Sequence, residues 1–185
     1  MLEDFIPNPQ VRERHEITVR APAALVFETA CKLDLASIPL VRAIFWMRAR
    51  ILRAKNERQR SLNLIEGMRA LGWQCLAQQD GRFYIAGAVC QPWNADVVFE
   101  PVAPDRFASY AVPDQVKIAW SIEAEPLGPA LTRFVTETRA IGTGEAARRK
   151  FRRYWRFFGI GIVLIRKLLL ARLRRIAEKT YRDTI

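Results

Sequence analysis

The chain has 185 residues, half of them hydrophobic, about a quarter charged and 10% aromatic. That is the make-up of a globular domain long enough to bury a sizeable core, and it excludes a disordered chain, a collagen-like repeat and a disulfide scaffold. The formal net charge of +11 is concentrated: Glu145 to Ile185 holds 13 Lys/Arg against three acids, and Arg42 to Arg60 holds seven against Glu57 alone. Cationic segments of this kind attract nucleic acid or an anionic membrane surface, or are simply solvated helix faces.

In chain order, residues 1–12 contain Pro7, Asn8 and Pro9 and read as an irregular arm. The acidic start, Met1 to Phe5, lacks the basic segment of a secretory signal. Arg14 to Arg20 alternates, with His15, Ile17 and Val19 on one face, which predicts a strand. After Ala21-Pro22, the spacing of residues 23–32 predicts a helix. A second helix is expected from about Leu40 to Lys55, with Pro39 in its first turn, where a missing N–H costs nothing. Its arginines, Arg42, Arg48, Arg50 and Arg53, cannot all be buried. Residues 61–71 fit either a short helix or a loop.

Strand patterns then follow at 72–79, 82–91, 95–102, 107–112, 115–125 and 130–141. Asp80-Gly81 marks a hairpin turn, because such a turn needs positive φ angles. One-sided alternation, as in Val116, Ile118, Trp120, Ile122 and Ala124, predicts an antiparallel sheet with one covered face and one largely wet face. Gly142-Thr143-Gly144 reads as a turn. Beyond it the apolar positions run from Phe151 through Tyr154, Trp155, Phe158, Ile162, Ile165, Leu169 and Leu173 to Ile176, in steps of three and four. This predicts one long basic amphipathic helix over residues 144–180. Gly159 and Gly161 mark a kink or a close approach within it. The apolar run 157–165 is far shorter than the roughly 20 residues needed to cross a bilayer.

The predicted fold class is therefore α+β: a curved antiparallel sheet of about six to seven strands wrapped around a long C-terminal helix, with two short helices after the first strand, all in one domain spanning residues 1–185. The order resembles the helix-grip fold of the SRPBCC superfamily, which includes START lipid-transfer domains and polyketide cyclase/dehydrase-like proteins. The resemblance covers about Val11 to Glu178. It is carried by Ile17-Thr18-Val19-Arg20-Ala21-Pro22-Ala23-Ala24-Leu25-Val26-Phe27, by Lys117-Ile118-Ala119-Trp120-Ser121-Ile122, and by Thr136-Glu137-Thr138-Arg139 followed by a basic helix with Tyr154-Trp155-Arg156.

The resemblance implies a cavity between sheet and helix for a hydrophobic or amphipathic small molecule, such as a lipid or polyketide-like compound. Its implied lining is Phe45 and Trp46, then Tyr84, Trp93, Phe99, Trp120 and Phe134, and finally Tyr154, Trp155, Phe158 and Ile162. Thr136 and Thr138 would supply polar contacts. The same aromatics at strand and helix spacing also fit a plain core.

Two other function classes stay open. A cyclase/dehydrase-type enzyme would need a base, and the candidates are Glu137, with Arg139 holding an anion, and His15. Glu137 and Arg139 also fit a charge-laced outer sheet face, and His15 a packed position. Cys90 is a thiol with no base beside it in sequence. Alternatively, the basic C-terminal helix would hold the protein on an anionic membrane surface. Against this, the same helix is needed to cover the sheet. Nucleic acid is the weaker partner, since no reading module is present. No GxSxG, HExxH, GxGxxG or Walker pattern occurs, so no cofactor and no metal are expected. Cys31, Cys75 and Cys90 form no zinc-ligand spacing and fit a reduced, cytoplasmic chain.

Overall fold

The computed structural model describes residues 1–34, 37–53 and 63–184. Strand β1 (Val11–Val19) is followed by helices α1 (Ala23–Cys31), α2 (Pro39–Leu52) and α3 (Leu64–Ala70). The hairpin β2 (Gln74–Gln79) and β3 (Phe83–Cys90) comes next, then the single turn α4 (Pro104–Phe107), strands β4 (Val116–Gly128) and β5 (Leu131–Gly142), and α5 (Glu145–Arg182). The described residues form one antiparallel sheet in the order β1-β5-β4-β3-β2. A curved sheet gripping a long terminal helix is the helix-grip architecture expected from the sequence.

Five strands are present among the described residues where six to seven were expected. Residues 95–102 make only an isolated bridge, between Val89 and Glu100. Residues 107–112 hold the end of α4 and a turn. Pro104 opens that turn of helix, and Phe107 leaves the strand alternation to become wholly buried beneath the sheet. The expected end of the second helix at residues 54–55, residues 61–62, and the part of the basic run that includes Glu57 and Arg60 lie outside the described residues.

The inner face of the sheet carries two apolar clusters, one toward each end of α5. Leu170, Leu173 and Ala177 pack with α1 (Val26, Ala30) on Val19, Tyr84, Ile122, Ala124 and Phe134. Phe151 packs with Val116 and Ala140, flanked by Tyr154, Trp155 and Trp93. Gly144, at φ +123, lets the chain leave β5 and enter α5. At Gly142 the helix backbone approaches so closely that a Cβ would lie 2.6 Å from the Arg148 nitrogen. Helix α5 runs unbroken through both internal glycines. Gly161 marks a close approach rather than a kink, since its added Cβ would stand 3.2 Å from the Ile44 methyl of α2.

The outer face, expected to be largely wet, carries a core of its own. Leu2 and Ile6 of the opening segment, with Phe107 and Val102, bury Leu76, Ile85, Val89 and Ala119. Gly87 makes room for this layer: a Cβ there would lie 2.6 Å from both Leu76 and Phe107. Even Lys117 is buried on this side, its ammonium donating to the carbonyls of Phe107 (3.1 Å) and Ala108 (2.7 Å). Burial lowers its pKa from the ordinary lysine value.

Candidate functional site

Antiparallel pairing brings residues into rows that share a sheet face. Two adjacent inner rows hold a series of buried and half-buried polar groups. One runs Glu13, Thr138, Trp120, Ala86; the other runs His15, Thr136, Ile122, Tyr84. Their Tyr84 and Ala86 ends belong to the cluster around Leu173, and Arg166 reaches down to the first row from the middle of α5. Its guanidinium donates to the Glu13 carbonyl (3.0 Å) and to the Thr138 hydroxyl (2.5 Å). The Trp120 indole N–H donates to Thr136 Oγ1 (3.0 Å), which donates in turn to the Ser121 carbonyl (2.8 Å).

This belt places charge where a plain core would be apolar. Burial pushes the Arg166 guanidinium down from its ordinary value, and the negative charge of Glu13 opposes the shift. His15 Nε2 stands 3.3 Å from Glu13 Oε2, an ion pair only when the imidazole is protonated. That nitrogen is buried and makes no well-formed hydrogen bond. The Tyr84 hydroxyl at the far end of its row is buried, with the Arg69 guanidinium and the Cys75 thiol as its polar neighbours. Burial raises the Tyr84 pKa, while the Arg69 guanidinium, 5.9 Å from the ring centroid, offsets part of the rise.

Tyr84 also borders an open pocket of about 310 Å³ at the hairpin edge of the sheet. Phe27 and Cys31 of α1, Ile65 and Arg69 of α3, and Gln78 of β2 form its other walls. Its volume is at the small end of the range for small-molecule sites.

The residues expected from sequence fall into several places. Tyr84, Trp120, Phe134, Thr136, Thr138 and His15 share the inner face. Trp93, Tyr154, Trp155 and Phe158 gather at the start of α5, where the Phe158 ring lies tilted against Tyr154 at 4.9 Å and Lys150 lies 5.2 Å from the Trp93 ring. Ile162 is half-buried one turn before Arg166. Phe99 lies elsewhere, on a loop against Trp73 at 5.4 Å.

Phe45 and Trp46 do not line the inner space: they are 36% and 57% exposed. The buried side of α2 carries Val41, Ile44 and Arg48 instead, and the Arg48 guanidinium donates to the Tyr154 hydroxyl (3.2 Å) and the Pro92 carbonyl (3.1 Å). Positions 45 and 46 turn away from that contact.

Glu137 and Arg139 also face the other way. They lie on the outer face under the opening segment, where Arg139 donates to Glu137 (2.6 Å), to the Ile6 carbonyl (3.1 Å) and to Glu3 (2.5 Å). Burial works to raise the Glu137 carboxyl, but hydrogen bonds and charge from Arg12 and Arg139 outweigh it and hold the group below the ordinary value. A carboxylate so paired is a weak base. Cys90 is buried, which pushes its thiol up to about 12 and leaves it protonated and unreactive.

Glu13 and Arg166 were not singled out by sequence. The signal for Glu13 was strand parity, since it alternates inward with His15, Ile17 and Val19. The signal for Arg166 was helical spacing, because it falls between Ile162 and Leu169 on the buried stripe. No group of described residues has the make-up of a metal site.

No family model matches the chain, and no curated protein sequence matches it. Among solved structures it is similar to the Zhui aromatase/cyclase from Streptomyces sp. R1128. The identity is 12%, over 89% of this chain and 94% of that one, with a TM-score of 0.31. It is also similar to the di-domain ARO/CYC BexL from the BE-7585A biosynthetic pathway, at 15% identity over 90% of this chain and 46% of that one, with a TM-score of 0.30. The chain spans about half the length of that di-domain protein. Both likenesses are distant.

Proposed function

We propose that this protein binds a hydrophobic or amphipathic small molecule, of lipid or polyketide-like character, between the inner sheet face and α5. The observation that carries this reading is the belt of Glu13, His15, Trp120, Thr136, Thr138 and Arg166, set beside the apolar cluster around Leu173. Apolar walls with a few convergent polar groups are what such a ligand needs. The His15 imidazole beside Glu13 and the Arg166 guanidinium would take a ligand oxygen, while the aromatic clusters would take its apolar body.

Native mass spectrometry of gently purified protein should show a retained small molecule. The anionic fluorophore anilinonaphthalene sulfonate should bind saturably, quench Trp120, and lose about tenfold in affinity in Arg166→Met, the scale of one charged hydrogen bond. Protein that carries no ligand and binds no fluorophore would reject the reading.

A cyclase/dehydrase-type reaction on a polyketide-like substrate is the second reading. It is favoured by the 3.3 Å approach of His15 to Glu13 on the inner face, a base with a carboxylate beside it. Turnover of a poly-β-ketone substrate that His15→Gln abolishes, with binding retained, would support it. Turnover unchanged in that variant would remove it.

A further inference from the structure

Helix α5 is apolar on two faces, and only one of them is used by the sheet. Phe157 and Ile160 are 76% and 78% exposed, and Leu164 is exposed on the same stripe, in steps of three and four residues. Helix α2 has an equivalent stripe in Leu40, Met47 and Ile51, all exposed.

The two stripes meet. Ile44 packs at Gly161 and Arg48 reaches Tyr154, so the helices run antiparallel. Phe157 and Leu164 each lie three residues beyond one of these contacts on α5; Met47 and Ile51 do the same on α2. Three residues fall about 60° short of a full turn. In two right-handed helices lying antiparallel, that rotation carries both stripes to the same side of the pair. The result is one exposed apolar ridge.

The rim of this ridge is cationic. Arg50, Arg153, Arg156 and Lys167 are exposed and form no ion pair among the described residues. Helix α2 contains no acid, and α5 contains none between Glu145 and Glu178. Monomeric proteins rarely expose a large contiguous apolar patch without a use for it.

We infer that the α2–α5 ridge docks on an anionic lipid bilayer, with the apolar side chains entering the headgroup boundary and the rim cations meeting lipid phosphates. The pairing of apolar ridge and cationic rim is that of an interfacial helix. Charge complementarity selects this occupant over the others. A second copy meeting the same face across a two-fold axis would set cation against cation. Nucleic acid would engage the rim but leave the ridge without a partner. No described helix is long and apolar enough to cross a membrane, so the surface rests on the bilayer.

Vesicle co-sedimentation tests this with the full chain. Vesicles of phosphatidylcholine with about one-third phosphatidylglycerol should bind the protein, and pure phosphatidylcholine should not. Raising salt from about 0.1 to about 0.5 M should weaken binding severalfold. Phe157→Ser with Ile160→Ser should lose at least tenfold, and Arg153→Glu with Arg156→Glu should lose more than that, since each rim cation near an anionic leaflet strengthens association roughly fivefold. All four positions are exposed, and circular dichroism should show each variant folded like the parent.

Equal vesicle binding by the serine double variant and the parent would overturn the proposal. So would dimerisation that the same variant abolishes in light scattering while vesicles go unbound, or binding to a duplex oligonucleotide in place of vesicles.

Discussion

The two faces of the sheet carry similar chemistry and use it differently. Glu137 and Arg139 on the outer face, like Glu13 and Arg166 on the inner face, place a carboxylate and a guanidinium on neighbouring positions of a packed interface. Outside, every strong group is answered: Glu137 is held by Arg12 and Arg139, and Arg139 reaches Glu3 and the Ile6 carbonyl as well. Inside, Arg166 reaches a backbone carbonyl and a hydroxyl, and His15 Nε2 makes no well-formed hydrogen bond, only a 3.3 Å approach to Glu13. A charge pair on a sheet is therefore not a site by itself. What distinguishes the inner belt is unspent hydrogen-bonding capacity beside apolar walls.

On the proposed function the outer face is a structural clasp and the inner belt a ligand surface, and substitutions should separate the two. The largest effect is expected at Phe107, wholly buried and edge-on to Phe5 at 6.1 Å. Phe107→Ala should cost about 4 kcal/mol in chemical denaturation. A loss below about 1 kcal/mol would mean that the outer layer is not a core.

Next comes Arg139→Met, which takes the buried guanidinium from Glu137, leaving it to the more exposed Arg12, and removes the donor to the Ile6 carbonyl. It should cost about 3 kcal/mol, the range for breaking a buried pair. Fluorophore binding by the folded variant should be unchanged, and a loss of binding would join the two faces functionally.

The clasp also predicts a pH dependence. The folded-state pKa of Glu137 is lowered, so its contribution is complete above the ordinary value of about 4.5. It is lost as pH falls through the lowered value. Glu137→Gln should flatten this part of the acid limb of a stability–pH curve. An unchanged limb would place the dependence on other carboxylates.

The smallest effect is expected inside. His15→Phe removes a buried nitrogen whose 3.3 Å approach to Glu13 is not a well-formed hydrogen bond, so stability should change by less than about 1 kcal/mol. Ligand or fluorophore affinity should nonetheless fall, as a titration of the variant would show. A large stability loss with unchanged affinity would make His15 a packing residue.

Much of the fold was legible because its signals are local. Period-two alternation in β1, β4 and β5, Asp80-Gly81 at the hairpin, Pro39 at the head of α2 and seven turns of apolar spacing in α5 each follow from backbone geometry. The failures arose where a segment is shaped by what it covers. Residues 107–112 alternate like a strand, yet Phe107 is drawn under the sheet, and the opening segment gives no sign in sequence that Leu2 and Ile6 close the outer face.

The site was legible only by face. Parity placed Thr136, Thr138, Trp120 and His15 on one side of the sheet, and the same rule, applied one residue over, sends Glu137 and Arg139 to the other. Arg166 was hidden because an arginine within an arginine-rich helix reads as solvated, although its spacing follows the buried stripe. Phe45 and Trp46 misled for the opposite reason. They are large and apolar, but a helix buries a side rather than a residue type, and α2 turns Val41, Ile44 and Arg48 inward.

The sequence by itself determined the elements, their order and the class of architecture, since these depend on short-range sterics and on hydrophobic period. Only the tertiary structure decided which polar groups are satisfied, and which apolar stripe of α5 meets the sheet and which is left exposed. Those outcomes depend on contacts between residues far apart in the chain, where the presence or absence of a partner within about 3 Å decides whether a polar group is satisfied.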